Sequence, residues 1–241
     1  MLFRLKIAGG LFYLLSDAHC ALLNLIEKTM KLLIQNLIIA SLSTSAMSDY
    51  VGLSFEYEEA GNDLWTMRLY ADFTESTDQL TGVFADSQSS LYIRSENGFY
   101  QNPFGGPTSL NINPALFDVF PSLEYDSWVT IGSEDQIDNA MLVAGIDWSE
   151  FENGGDIEID NGAWFATTDD IQTVAGNDLR VLIGQFTTYG WDSQIYGSIN
   201  LVGQYGDLEP FAARDQYFGW VPAPATIVLF VLACFKQRRR P

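Results

Sequence analysis

Trp65-Thr66-Met67-Arg68-Leu69-Tyr70-Ala71-Asp72-Phe73 alternates apolar and polar residues through nine positions. Successive side chains of an extended chain point to opposite sides, so a period of two buries one face and wets the other. The segment reads as a half-buried strand, with Trp65, Met67, Leu69, Ala71 and Phe73 inward and Thr66, Arg68, Tyr70 and Asp72 in water. Trp65 is thereby assigned to the core. A second stretch repeats the pattern: Ile195, Gly197, Ile199, Leu201 and Gly203 alternate with Tyr196, Ser198, Asn200, Val202 and Gln204.

Working outward, further strands are expected at Val51–Tyr57, Gln79–Ala85, Leu91–Arg94, Trp128–Gly132, Met141–Ile146 and Arg180–Thr188. Turn-forming residues separate them: Gly61-Asn62-Asp63, Asn97-Gly98, Asn153-Gly154-Gly155-Asp156, Asn161-Gly162, Gly176-Asn177-Asp178 and Gly206-Asp207. A short helix is expected at Asn113-Pro114-Ala115-Leu116-Phe117, where Asn caps and Pro fills the first turn. Many short strands, no long helical pattern and no repeat of fixed period give an all-β chain. The expected fold is a single antiparallel β-sandwich or jelly-roll-like domain over residues 47–219, with hydrophobic helical segments at both termini.

The two ends read differently from the body. Residues 220–241 run Trp220-Val221-Pro222-Ala223-Pro224-Ala225-Thr226, then the apolar Ile227–Phe235, then Lys236-Gln237-Arg238-Arg239-Arg240-Pro241. The prolines stiffen an extended segment, and the arginines favour the cytoplasmic side of a membrane. This tripartite order resembles the PEP-CTERM sorting signal of Gram-negative bacteria, with Ala223 where that family has a central Glu. The resemblance implies recognition of Val221, Pro222, Ala223, Pro224 and Thr226, with Arg238, Arg239 and Arg240, by an exosortase-like processing enzyme. Val221–Phe235 is 15 residues, against the roughly 20 of a full span.

At the front, Met30-Lys31 followed by the apolar Leu32–Leu42 and the small residues Ser43-Thr44-Ser45-Ala46 form a signal peptide, residues 30–46, cleaved after Ala46 by the export machinery. Residues 1–29 are then expected to be surplus to the exported protein, either because translation starts at Met30 or as part of an unusually long leader. A second resemblance, of the Gly98–Thr108 and Phe120–Gly132 block to uncharacterised secreted bacterial proteins, implies an extracytoplasmic domain. The expected route is export through the translocon and transit on the inner membrane through the C-terminal tail. It ends at the cell surface or in the exopolysaccharide matrix.

Composition removes several kinds of chemistry. The 173 residues of 47–219 hold Arg68, Arg94, Arg180 and Arg214, no Lys, and 29 of the chain's 31 Asp and Glu, a formal charge of −25. Such a surface repels nucleic acid, whose binding needs cations against phosphate. His19, Cys20 and Cys234 all lie outside this segment. Triads, thiol nucleophiles, zinc sites and lysine Schiff bases are therefore excluded within it.

What remains are carboxylates and aromatic rings. Asp156, Glu158 and Asp160 alternate like the opening of a calcium loop, in which oxygens at every second position converge on a hard cation. The same spacing is also the wet face of a strand, with Ile157 and Ile159 inward. Glu134, Asp135, Asp138 and Asn139 form a looser cluster of the same kind. Trp148, flanked by Asp147 and Glu150, and Trp191, next to Gly190 and Asp192, are candidate exposed rings for stacking on sugars. Asp147, Glu150 and Glu152 could supply the carboxylate pair of a glycosidase. The expectation is a non-enzymatic surface or matrix protein without a cofactor, calcium being the candidate structural ion. The alternatives are a carbohydrate-binding module of the exopolysaccharide matrix and a carboxylate glycosidase.

Overall fold

The computed structural model describes residues 49–219. The terminal readings, namely the segments 1–29 and 30–46, cleavage at Ala46, the sorting tail 220–241 and both terminal helical segments, lie outside the described residues.

The described chain is an all-β sandwich of two antiparallel sheets. Its strands are β1 (Tyr50–Gly61), β2 (Leu64–Phe73), β3 (Gln79–Ala85), β4 (Leu91–Ser95), β5 (Trp128–Val129), β6 (Leu142–Ala144), β7 (Ile157–Ile159), β8 (Gly162–Phe165), β9 (Arg180–Tyr189), β10 (Ile195–Gln204) and β11 (Pro210–Phe218). One sheet has the order β1-β2-β9-β5. The other has the order β6-β8-β3-β10-β4-β7, with β11 on the free side of β10.

Register shows that the larger sheet has five rows. β3 and β4 face successive halves of β10: Phe84 lies opposite Asn200 and Tyr92 opposite Ser198. β10 advances two residues while the facing chain advances eight, so residues between β3 and β4 leave the sheet as a loop. β7 and β8 are broken at the same level, with Ile159 opposite Leu91 and Gly162 opposite Ala85. Asn200, fully buried, fills the gap. Its amide donates to the Phe84 and Ser89 carbonyls, each at 3.0 Å, and its oxygen accepts from Ser89 Oγ at 2.8 Å and from the Asp215 N–H at 2.9 Å. These bonds replace the ladder bonds that the loop removes, as buried backbone groups require.

The core lies between the sheets. Met67, Leu69, Ala71 and Phe73 of β2 meet Leu80, Val83, Ile93, Trp164, Ile199 and Leu201 of the larger sheet. Trp164 is fully buried and its indole N–H donates to the Thr130 carbonyl at 3.0 Å, so the ring contributes roughly 2–3 kcal/mol of burial with no stranded polar atom.

The outer face of the smaller sheet departs from the alternation. Thr66 and Tyr70, expected in water, are buried. Segment 99–127 forms a third layer over them, through 3₁₀ turns at Ser109–Asn111, Pro114–Leu116 and Pro121–Tyr125. Its Ile112 and Leu123 pack with Tyr70, Trp128 and Leu182. The short helix expected at Asn113-Pro114 is the second of these turns, capped by Asn113 Oδ1 on the Ala115 N–H at 3.1 Å. Asp126, fully buried, anchors the layer by accepting the Asn102 N–H at 2.7 Å and the Gly106 N–H at 3.0 Å. Gly105 must be glycine here, because a Cβ would sit 1.8 Å from Asp126 Oδ2.

Candidate ligand-binding groove

Phe55 and Tyr57 lie two apart on β1, opposite Leu69 and Met67 of β2. Facing residues in an antiparallel pair project to the same side, so both rings share the side of the sheet that forms the core. Trp65 is on that side too, two residues before Met67. Yet Phe55 is 41% exposed and Tyr57 45% exposed, and Trp65 is half-buried rather than in the core. The alternation reported the face correctly. The second sheet simply stops short of these positions and leaves the end of the apolar face uncovered.

The β9–β10 connection supplies the other wall. Gly190 turns the chain at φ 87° and donates its N–H to the Asp63 carbonyl at 2.8 Å. Ser193 is buried and its hydroxyl bonds Thr188 Oγ1 at 2.8 Å, while Asn97 Nδ2 donates to the Tyr189 carbonyl at 2.7 Å. Between these fixed points Trp191 projects into solvent, 77% exposed. The result is an open groove of about 720 Å³ lined by Phe55, Tyr57, Trp65, Trp191, Asp192 and Gln194, with Ser193, Ile195 and Gly219 completing it. Its volume falls in the range of small-molecule sites, about 300–1,000 Å³.

Three features of the lining matter chemically. Phe55 and Tyr57 meet edge to face, with centroids 5.6 Å apart and planes at 77°, which holds both rings in place. Burial pushes the Tyr57 hydroxyl pKa up, opposed by a hydrogen bond with the Ile195 backbone, so the group stays a neutral phenol. Gln194 Oε1 is buried with no hydrogen-bond partner among the described residues. A buried acceptor left bare costs roughly 1–3 kcal/mol.

A second hollow of about 290 Å³ unites two candidate sets, Trp148 with Asp147 and Glu150, and Asp156 with Glu158. Trp148 is half-buried, packed at 6.1 Å on both Phe151 and Trp164, so it is more a lid on the core than an open platform. Glu150 and Glu152 belong to a one-turn helix, α1 (Ser149–Glu152); Glu152 does not line the hollow. Hydrogen bonds from the Ser149 backbone N–H and hydroxyl hold Asp147 below the usual carboxylate range, the opposite of what a general acid needs.

Arg94 pairs with two of the three alternating acids, Asp156 just before β7 and Glu158 within it. Its guanidinium lies 2.5 Å from Glu158 and 3.7 Å from Asp156. Ile157 and Ile159 are buried and Glu158 and Asp160 exposed, the half-wet strand that was one reading of this spacing. Glu134 of the looser cluster pairs with Arg68 at 3.6 Å, and Asp135 caps the Ile137 N–H at 2.7 Å. Among the described residues no group of three or more His, Cys, Asp or Glu is arranged to hold a metal ion. Among them also, no helix is long and apolar enough to cross a membrane.

Of the rings singled out in the sequence, Trp191 is in the groove and Trp148 is not. Phe55, Tyr57, Trp65 and Gln194 were not foreseen as site residues. The available signal was aromatic rather than aliphatic residues at the ends of the alternating strands. No family model, curated protein or solved structure matches the chain.

Proposed function

We propose that this chain is an exported, non-enzymatic protein of the cell surface or extracellular matrix, held there by polysaccharide binding in the aromatic groove. The observation that carries the binding is the groove itself: Phe55, Tyr57, Trp65 and Trp191 gather four aromatic rings along one concave surface, on a scaffold fixed by sheet and loop hydrogen bonds. Pyranose rings present axial C–H groups to such faces, while their hydroxyls take hydrogen bonds at the rim. Exposed aromatic faces in a concave surface are otherwise a liability in a soluble protein. Trp191 stands furthest into solvent and on a pinned loop, so it would contribute the largest single stacking surface.

The test is affinity electrophoresis in gels cast with a panel of soluble polysaccharides, with wild type run beside W191A. At least one polysaccharide is expected to retard wild type about tenfold more strongly in apparent affinity, a difference of about 1.4 kcal/mol. Because Trp191 is exposed, its replacement should leave the melting temperature unchanged. Equal mobility of the two proteins in every gel would end the glycan reading.

Export belongs to the same proposal and is supported by the sequence alone, through the Met30–Ala46 leader and the Pro222-Ala223-Pro224 tail. The intact mass of protein from the extracellular fraction should begin at Met47 and end near Val221. A membrane-bound form retaining Arg240 would instead make the tail a plain anchor, and the exosortase step would be withdrawn.

A further inference from the structure

We infer that the groove selects polysaccharides that carry no charge and rejects acidic ones. This rests on the glycan-binding reading above and adds the ligand class to it.

A uronate or sulfate ester held in a protein site needs a guanidinium or ammonium beside it, since desolvating an anion without one costs several kcal/mol. Residues 49–219 contain four such groups. Each lies against a carboxylate elsewhere: Arg68 on Glu134 at 3.6 Å, Arg94 on Glu158 at 2.5 Å, Arg180 on Glu56 at 2.6 Å and Arg214 on Asp86 at 2.7 Å. None lines the groove. Arg68 lies directly opposite Glu56 in the β1–β2 register, but Glu56 alternates with Phe55 and Tyr57, so Glu56, its partner Arg180 and Arg68 are on the opposite side of the sheet.

The lining itself is negative. Asp192 is in the groove wall, and the surrounding segment carries a net −25. An acidic chain would meet repulsion on approach and find no counter-charge on arrival.

The remaining polar groups match hydroxyls. Gln194 lines the groove, and its side-chain amide can exchange hydrogen bonds with a neutral sugar hydroxyl without bringing a charge into the groove. A protonated amino sugar is also a donor, and it would be drawn to the surface as a whole. At salt concentrations that screen that attraction, aromatic stacking and the Gln194 amide remain, and both are served by an uncharged ring.

The experiment uses the full chain and immobilised polysaccharides of three charge types: dextran and xylan, alginate and heparin, and chitosan. Binding is read at about 0.5 M NaCl, where the screening length is near 4 Å, and wild type is compared with W191A. The expected result is Trp191-dependent binding to dextran or xylan and none to alginate or heparin. Substituting Gln194→Leu should weaken that binding several-fold without changing the charge preference. Trp191-dependent binding to alginate or heparin, or to chitosan alone, would overturn the inference and leave the glycan reading standing. Trp191-independent behaviour throughout would remove the glycan reading and this inference with it.

Discussion

Single residues in this protein carry roles that their sequence positions hide. Asn200 sits in the wet half of an alternating strand, yet it is fully buried because the facing strand is broken beside it. Sequence periodicity cannot report a break in a neighbour remote in the chain. Trp65 shows the reverse limit: its side of the strand was legible, and its exposure depends on where the opposite sheet ends. Asp126 is a third case, an acid among turn residues whose surroundings only the fold supplies. Burial pushes its pKa up to about 6, against backbone hydrogen bonds from Asn102, Gly106 and Ser127 that favour the charged form. The folded state thus holds this proton more tightly than the unfolded chain, whose value is near 3.8. The resulting stabilisation is complete below about pH 4, falls as pH rises to about 6, and is absent above. A shift of about two units corresponds to about 3 kcal/mol. In Asp126→Asn nothing titrates at this position, and the backbone N–H left unpaired costs the same at every pH. Between pH 4 and 6.5, urea unfolding should therefore show wild type losing about 3 kcal/mol more than the variant. Parallel pH profiles would show that the carboxylate is not desolvated in solution.

At the level of strands, long elements were legible and short or irregular ones were not. Gln79–Ala85 and Ile195–Gln204 match their expected limits. β11 escaped because its period slips: Ile199 faces Gln216 and Leu201 faces Ala213, so β11 holds one extra residue there, with Asp215 at φ 53°. Phe211 and Ala213 point inward before the bulge and Phe218 after it, a pattern without constant parity. β8, only four residues long, opens at a glycine read as a turn. On β7 the alternation was read correctly, and its ionic partner was not foreseen. Arg94 comes from β4, the neighbouring strand, and pairs with Asp156 and Glu158 where a cation would otherwise have to bind. The melting temperature of wild type is therefore expected to be the same in EDTA and in about 5 mM calcium, a concentration that saturates weak extracellular sites. Arg94→Ala should melt about 1–4 °C lower, the scale of one partly exposed ion pair in a domain of this size. Calcium should raise the variant's melting temperature by neutralising the freed carboxylates. A drop of the wild type in EDTA would place a structural calcium in the native protein.

For the molecule as a whole, the sandwich could be read from period and punctuation, whereas the third layer over the smaller sheet could not. Segment 99–127 has no strand or helix period, and it covers Tyr70 and Trp128 through irregular 3₁₀ turns whose apolar residues fit that one surface. Charge acts at this largest scale. Residues 47–219 carry −25, and the four arginine pairs are partly exposed. Each such pair contributes about 0–1 kcal/mol, which salt weakens. Repulsion among the unpaired carboxylates opposes folding across the entire surface, and salt weakens that as well. The two effects have opposite signs, and the magnitudes decide between them: four small attractions against the mutual repulsion of 25 unbalanced charges. The melting temperature should therefore rise with NaCl, by several degrees between about 20 and 500 mM. Most of that gain should come below about 150 mM, where the screening length shrinks from about 20 to 8 Å. KCl should act equally, because screening depends on ionic strength and not on the identity of a monovalent cation. A melting temperature that stays flat or falls across this range would mean that the ion pairs outweigh the repulsion and that the acidic surface exerts no net strain on the fold.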